Sequence, residues 1–327
     1  MIFVVISSVI RLSFYCHQEL WKAMSRFALV GTITYDVITK GKKILYRGLG
    51  GILYQAAVLC AMGYHVNLYT NLGLELEPDV RRLTKEWKTL HKETINRVPG
   101  PGNRVFLDYP AGRERVEVLR SVVPPVSPGH ILEDLPRMDF LMMVLNSGFD
   151  MDLEGWKRLK KKAECPVWLD IHSLVLERKI GGPREYVPIL DWREWVEGID
   201  YLQANRAEVG ALLGNPGKMP SLGELKSFGD EAFHLGVKVL FLTLGKEGVF
   251  LLGKKGGRII RAKDGDIEVD STGCGDVLGA GAAAYLMRGH EPIQAALHGL
   301  KIASAAVSLC GVAPVFRMIV SEQPNQD

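Results

Sequence analysis

The alternation of apolar and polar positions divides this chain into strand and helix segments. Residues 27–30 form a short apolar run that stops at Gly31, as a strand buried on both faces does. Ile33, Tyr35, Val37 and Leu45 then alternate with polar residues, the pattern of a half-exposed sheet. Gly48-Leu-Gly-Gly51 interrupts that sheet, and a helix is predicted over 53–62, closed by Gly63. Strand resumes at 65–69. Pro78 opens an amphipathic helix predicted over 79–91, with Val80, Leu83, Trp87 and Leu90 on one face. From 95 to 123, Val105, Leu107, Val116 and Val118 lie in short alternating runs around the turn Asp108-Tyr-Pro-Ala-Gly-Arg113. This predicts a second antiparallel element, split in sequence from 33–47, whose partly polar faces suit a flap and not a second core.

From residue 140 buried strands and helices alternate strictly. Strands are predicted at 140–145, 167–169, 201–203, 237–242 and 267–269, helices at 153–163, 206–213, 222–235 and 297–309, and a hairpin at 249–260. Such alternation argues for an α/β fold with a mostly parallel sheet covered on both faces. Ligands of these sheets gather beyond the carboxyl ends of the strands. Asp36, Asn146, Asp170, Asn205 and Thr243 each follow a predicted strand end and are expected to converge on one cleft.

Chemistry concentrates in Asp270-Ser-Thr-Gly-Cys-Gly-Asp276, which leads into the small-residue helix pattern Val277-Leu-Gly-Ala-Gly-Ala-Ala-Ala-Tyr285. A glycine turn feeding a helix leaves backbone N–H groups unpaired, with the positive end of the helix dipole behind them. That makes an anion site from main chain, suited to a phosphate. Asp276, in the first helical turn, is placed to accept a proton from a hydroxyl beside the anion; the alternative is that it only caps the helix. Asn205-Arg-Ala-Glu208 sets an amide and a carboxylate one turn apart. The pair reads either as a capping box or as groups that hold water around Mg²⁺ and a phosphate. Leu242-Thr-Leu-Gly-Lys-Glu-Gly-Val249 is a strand, a glycine turn and a return strand. Gly48-Leu-Gly-Gly-Ile-Leu-Tyr54 lacks the third glycine of a dinucleotide fingerprint, which argues against an oxidoreductase. Cys274 stands at a helix N-terminus, where a thiol is either activated or buried and inert.

Composition narrows the class. The 327 residues are 47% apolar with a formal net charge of +3, enough for one large core with a small appendage. Nothing in the charge balance calls for nucleic acid; Arg158-Leu-Lys-Lys-Lys162 reads as the solvated end of a helix. The five cysteines are scattered without a C-x-x-C pair, which fits a reducing cytoplasm and no zinc site. The apolar stretch 1–10 is too short for a bilayer, which takes about 20 residues, so no membrane partner is expected. Residues 1–23 are expected to be an upstream extension, with Met24 the working initiator.

In this order, the motifs resemble the ribokinase family (the PfkB-type carbohydrate kinases) over about residues 25–320. The family's D-T-x-G-A-G-D signature is similar to Asp270–Asp276 followed by Gly279-Ala-Gly281. Its N-x-x-E step resembles Asn205–Glu208, its T-L-G-x-x-G turn Thr243–Gly248, and its G-x-x-x-x-D start Gly31-Thr-Ile-Thr-Tyr-Asp36. The helix at 297–309 and Gly311-Val-Ala-Pro314 are similar to the adenine-side segment. The resemblance implies a ribokinase-like three-layer α/β/α sandwich over 24–320, a β lid from about 33–48 and 95–120, and a tail at 321–327. It implies transfer of the ATP γ-phosphoryl group to a primary hydroxyl of a sugar, nucleoside or related metabolite. Asp276 would be the base and Gly273, Cys274 and Gly275 the anion hole. Asn205 and Glu208 would organise Mg²⁺ and phosphates, with Thr243, Gly245, Gly248 and Gly311 beside the nucleotide. Asp36, Gly51, Gln55 and Asn146 would face the acceptor, with Arg104 nearby. Asp270 and Thr272 match positions that hold a monovalent cation (K⁺) in potassium-activated relatives, and pairing through the lids implies a homodimer. The competing reading is a catalytically silent kinase-like protein that binds nucleotide or metabolite and regulates.

Three departures stand out. Gln55 replaces the Asn of G-G-x-x-x-N, Gly73-Leu-Glu-Leu-Glu77 lacks the Asp and second Gly of G-x-D-x-x-G, and Cys274 replaces Ala in the anion hole. The first two lie on the acceptor side and leave the acceptor's identity open.

Overall fold

The computed structural model describes residues 25–110, 115–261 and 272–322. The expectations for 1–23, the turn at 111–113, the strand at 267–269, Asp270 and the residues after 322 lie outside them.

Fourteen strands are described: β1 Arg26–Val30, β2 Ile33–Lys40, β3 Lys43–Gly51, β4 His65–Gly73, β5 Leu90–His91, β6 Ile95–Val98, β7 Asn103–Asp108, β8 Val116–Ser121, β9 Phe140–Val144, β10 Val167–Asp170, β11 Tyr201–Asn205, β12 Val239–Thr243, β13 Val249–Gly253 and β14 Gly256–Ile260. Ten of them form a sheet in the order β14-β13-β12-β11-β10-β9-β1-β4-β5, with β6 also on β4. All pairs from β12 through β5 are parallel, and the β12–β13–β14 edge is antiparallel. Because side chains alternate along a strand, β1 sends Phe27 and Leu29 into one core and Ala28 and Val30 into the other. The first core packs α1 (Leu53–Ala61) and the later helices Cys274–Met287, Pro292–Ala306 and Val312–Ser321 against one face. The second packs Gly129–Asp134, Leu153–Lys162, Trp192–Val196, Arg206–Leu212 and Leu222–His234 against the other. In chain order the ten described helices are α1 Leu53–Ala61, α2 Glu77–Leu83, α3 Gly129–Asp134, α4 Leu153–Lys162, α5 Trp192–Val196, α6 Arg206–Leu212, α7 Leu222–His234, α8 Cys274–Met287, α9 Pro292–Ala306 and α10 Val312–Ser321. This is the expected α/β/α sandwich.

Helix starts follow local chemistry. Asn205 and Ser221 each build a capping box, with Glu208 and Glu224. Asp152 caps α4, whose last turn carries Lys160, Lys161 and Lys162, where cations suit the helix dipole.

Four strands form a smaller sheet in the order β3-β2-β7-β8, with its own apolar centre of Ile38, Val105, Leu107 and Leu119. Two expectations need correction here. The β2–β7 pair is parallel, so the sheet is mixed. And β6 pairs with the second half of β4 in the large sheet, so the lid's second part starts at Asn103 and not at 95. Ile95 is buried there and Thr94 Oγ1 donates to the Leu68 carbonyl, which ties the segment to β4.

The helix predicted over 79–91 is also shorter. It spans Glu77–Leu83, and Leu90–His91 is a strand beside β4. Thr84 Oγ1 donates back to the Val80 carbonyl, Lys92 Nζ donates to the Thr84 carbonyl, and the chain turns. Val80, Trp87 and Leu90 are still buried, so the periodicity marked burial without marking one continuous helix. Towards the C-terminus, the helix expected over 297–309 spans Pro292–Ala306 as α9, and Gly311 is the N-cap of α10. Among the described residues no helix is long and apolar enough to cross a membrane.

Candidate active site

Asp170, Asn205 and Thr243 are the last residues of β10, β11 and β12, neighbouring parallel strands. Their carboxyl ends therefore open on one side of the sheet, and all three line a cavity of ≈ 610 Å³. Glu208, Gly245, Gly273, Gly275 and Asp276 line it too. These residues come from separate stretches of chain, and the parallel sheet brings them together. Asp36 corrects the expectation that it follows a strand end: it lies inside β2, opposite Gly48 of the lid.

The turn before α8 explains its glycines. Gly273 has φ +79°, and a Cβ there would meet the Tyr54 ring at 2.8 Å, so both conformation and space demand glycine. Helix α8 begins at Cys274, and its first N–H groups lack helical partners. The Gln203 amide donates to the Gly275 carbonyl at 2.9 Å, fixing the turn against β11. Asp276 follows, only 6% exposed, and Gln55 Nε2 donates to its Oδ1. Gln55 itself is fully buried on α1, so its amide reaches the carboxylate from beneath the cavity.

The Asn205–Glu208 step is a capping box. Glu208 N–H donates to Asn205 Oδ1 at 2.8 Å, and Asn205 N and Nδ2 donate to the Glu208 oxygens at 2.7 and 2.6 Å. Carboxylate and amide oxygens keep further lone pairs, so capping does not exclude a second use.

Three buried carboxylates share the site. Burial raises Asp276 above the ordinary carboxylate range, offset in part by His172, Gln55 and Arg115. Burial raises Glu208 too, opposed by His172 and the Asn205 N–H. Asp170 is pushed well up by burial and then by the charges of Glu208 and Asp276. Such mutually perturbed acids in a cleft are a mark of functional sites. Asp170, His172 and Asp276 also have the spacing of metal ligands. An imidazole in the set disfavours Mg²⁺, which prefers oxygen, and Asp276 already accepts from Gln55.

Residues of the smaller sheet and the segments next to it border this cavity. Tyr109, Arg115 and Glu117 line it, and the Tyr109 hydroxyl lies 2.7 Å from Thr272 Oγ1. Arg184 pins the lid from the other side: it donates to Glu117 Oε1 at 2.8 Å, the Ser147 carbonyl at 2.9 Å and the Glu177 carbonyl at 2.7 Å. None of these lid and strap residues stands out in the sequence, because no local pattern marks an arginine whose carboxylate partner lies 67 positions away. Asp170 and His172 have one signal, their place after a strand.

Other expected residues are not among those that line the cavity. Asp36 is buried near Thr34, and a side chain at Gly50 would collide with both. Asn146 is buried beside Gly31, with Oδ1 unpartnered. Gly51, at φ +60°, ends β3. Gly248 closes the turn at 245–247, and Gly311 packs under the Tyr46 ring of the lid.

Residues 186–315 match the model of the pfkB family carbohydrate kinases. No curated protein sequence matches the chain. Solved structures match nearly all of it. Ribokinase of Arabidopsis thaliana, complexed with ribose and ATP, is 18% identical at TM-score 0.70, covering 91% of this chain and 98% of that one. A nucleoside kinase of Burkholderia thailandensis, in complex with inosine, is 17% identical at TM-score 0.67, covering 88% and 92%. A pyrophosphate-dependent kinase in the ribokinase family, complexed with a pyrophosphate analog and myo-inositol, is 15% identical at TM-score 0.70, covering 88% and 96%. The chain thus has the fold of the ribokinase family and carries, over residues 186–315, the pattern of the pfkB carbohydrate kinases.

Proposed function

We propose that this protein is an ATP-dependent kinase that transfers the γ-phosphoryl group to a primary hydroxyl of a sugar, nucleoside or related small metabolite. The observation that carries this reading is the placement of Asp276 within the open first turn of α8, in one cavity with Asn205, Glu208, Thr243 and Gly245. Asp276 takes the proton of the acceptor hydroxyl as its oxygen attacks phosphorus. The N–H groups of Cys274 and Gly275 face the charge that develops on the transferring group, a stabilisation that needs no rearrangement at the moment of reaction. Asn205 and Glu208 would hold Mg²⁺ through water, and the ion would neutralise donor phosphate charge. Thr243 and Gly245 flank the donor. Tyr109 and Arg115, on the lid, keep water from competing with the acceptor.

Orphaned polar atoms support a hydroxyl-rich acceptor. Thr34 Oγ1, Gln55 Oε1 and Asn146 Oδ1 are buried without a hydrogen-bond partner. An unmade bond at a buried acceptor costs about 1–3 kcal/mol, and hydroxyl groups of a sugar or cyclitol are donors that would relieve it. The test is phosphoryl transfer from ATP, with pyrophosphate as a second donor, to a panel of sugars, nucleosides and cyclitols. Turnover with ATP that Asp276→Asn abolishes bears the reading out. A folded protein that binds ATP, phosphorylates nothing and behaves like Asp276→Asn overturns it.

A further inference from the structure

His172 is the one non-glycine residue with positive φ, at 38°, among the described residues. Such a conformation is costly for a side-chain-bearing residue and persists where its surroundings impose it. They do so here. The Ile171 N–H donates to the Gln203 carbonyl, the Ser173 N–H to the Leu145 carbonyl, and Ser173 Oγ to the Asn146 carbonyl, at 3.1, 2.8 and 2.8 Å. The backbone on both sides is thus tied to β11 and to the residues just after β9, and the imidazole lines the cavity. There one ring nitrogen and one oxygen each of Asp170 and Asp276 all lie within 4.8 Å of one another.

We propose that His172 is a positioning residue for Asp276, its imidazole set between the Asp170 and Asp276 carboxylates to keep them apart and hold Asp276 towards the acceptor. The proposal rests on the kinase reading for its catalytic meaning, but the contact itself does not. The charged groups around the ring leave this task to it. Asp170 on β10, Glu208 on α6 and Asp276 on α8 are anions. Of the cations lining the cavity, Arg184 spends its donors on Glu117 and two carbonyls, Arg206 donates to the Pro220 carbonyl, and Arg115 pairs with Glu117 at 3.2 Å and offsets the burial of Asp276 less than His172 does. Tyr109 and Tyr186 complete the surroundings. His172 is the cation-forming group grouped with the base, and its charge offsets the burial of both Glu208 and Asp276.

The experiment uses the full chain with His172→Gln and His172→Lys, each alone and each combined with Asp276→Asn. Two readouts are taken: the pH profile of kcat/KM, and the thermal midpoint from about pH 4.5 to 7.5, above the ordinary carboxylate range. An opposite charge at this range shifts a carboxylate by about one to three pH units. In His172→Gln the acid limb of kcat/KM is expected to move up by about one unit, the lower end of that range, and His172→Lys to bring it back. The thermal midpoint is expected to fall more steeply with pH in His172→Gln than in the parent, and this extra slope to vanish with Asp276→Asn. An extra slope without any turnover in the parent keeps the contact and removes the kinase reading. An unchanged slope and limb in an active enzyme overturn the proposal, as does an extra slope that survives Asp276→Asn. If His172→Gln does not fold, the His172→Lys pair carries the same comparison, with no extra slope expected.

Discussion

Gln55 donates its side-chain amide to Oδ1 of Asp276, joining α1 to the first turn of α8 across 221 positions of sequence. The residue that departs from the family's Asn is therefore a support of the candidate base. Hydrogen bonds to charged groups contribute about 1.5–3 kcal/mol. Gln55→Leu, which roughly keeps the volume and removes the donor, is expected to lower kcat/KM by roughly 10–100-fold on that scale. Steady-state kinetics with the identified acceptor checks this. A loss confined to acceptor KM would place Gln55 on the substrate and not on the base.

Asp276→Asn is expected to lower kcat by about 10²–10⁴-fold, the range for general base catalysis, while ATP binding measured by calorimetry persists. Stability should move the other way. Burial raises Asp276 in the folded state, so its contribution is fully present below the unfolded value and is lost as pH rises through the folded one. Asp170 and Glu208 carry the same sign. The parent should thus lose stability as pH rises above about 4, and Asp276→Asn should lose less. Urea midpoints at about pH 5 and about pH 8 measure the difference.

The Arg184–Glu117 pair is buried, with the Arg184 side chain fully covered. Removing one partner of a buried pair costs about 3–5 kcal/mol, because the other charge stays without compensation. Arg184→Met is expected to destabilise by about 3 kcal/mol, the lower end of that range, since Arg115 also reaches Glu117. Arg184→Met with Glu117→Leu should recover much of the loss. Urea unfolding of the three variants gives the coupling; a loss in the double variant equal to the sum of the two single losses would mean that the pair adds nothing.

Gly273→Ala tests the turn itself. The positive φ and the Tyr54 ring both oppose a methyl group, and a conformation of this kind costs about 1–3 kcal/mol for a non-glycine residue. Loss of phosphoryl transfer together with a lower thermal midpoint is expected. Full activity would show that the anion hole does not depend on this geometry.

Much of the fold was legible in the chain itself, and the reasons are local. Alternation in 140–260 named the strands, and the N-cap Asn205 marked a helix start. The turn Gly273–Asp276 was readable as a glycine turn opening a helix because one turn and one helix end make it. Long-range pairings were not. Residues 79–91 showed helical spacing, yet Leu90 buries itself as a strand beside Val66. The parallel β2–β7 pair, β6 on β4, and the Arg184 clamp on Glu117 join segments whose separations no short pattern encodes.

The Gly273–Asp276 motif thus stood on its sequence: backbone donors and Asp276 share one helical turn, and helix geometry alone aligns them. What surrounds the carboxylate was decided only by tertiary structure. Parallel strands end side by side whatever their order in the chain, and so Asp170 and His172 meet Asp276 from a distant stretch of sequence, while Gln55 reaches it from α1. Periodicity reports which side of an element is buried; it carries no record of which buried neighbour lies there.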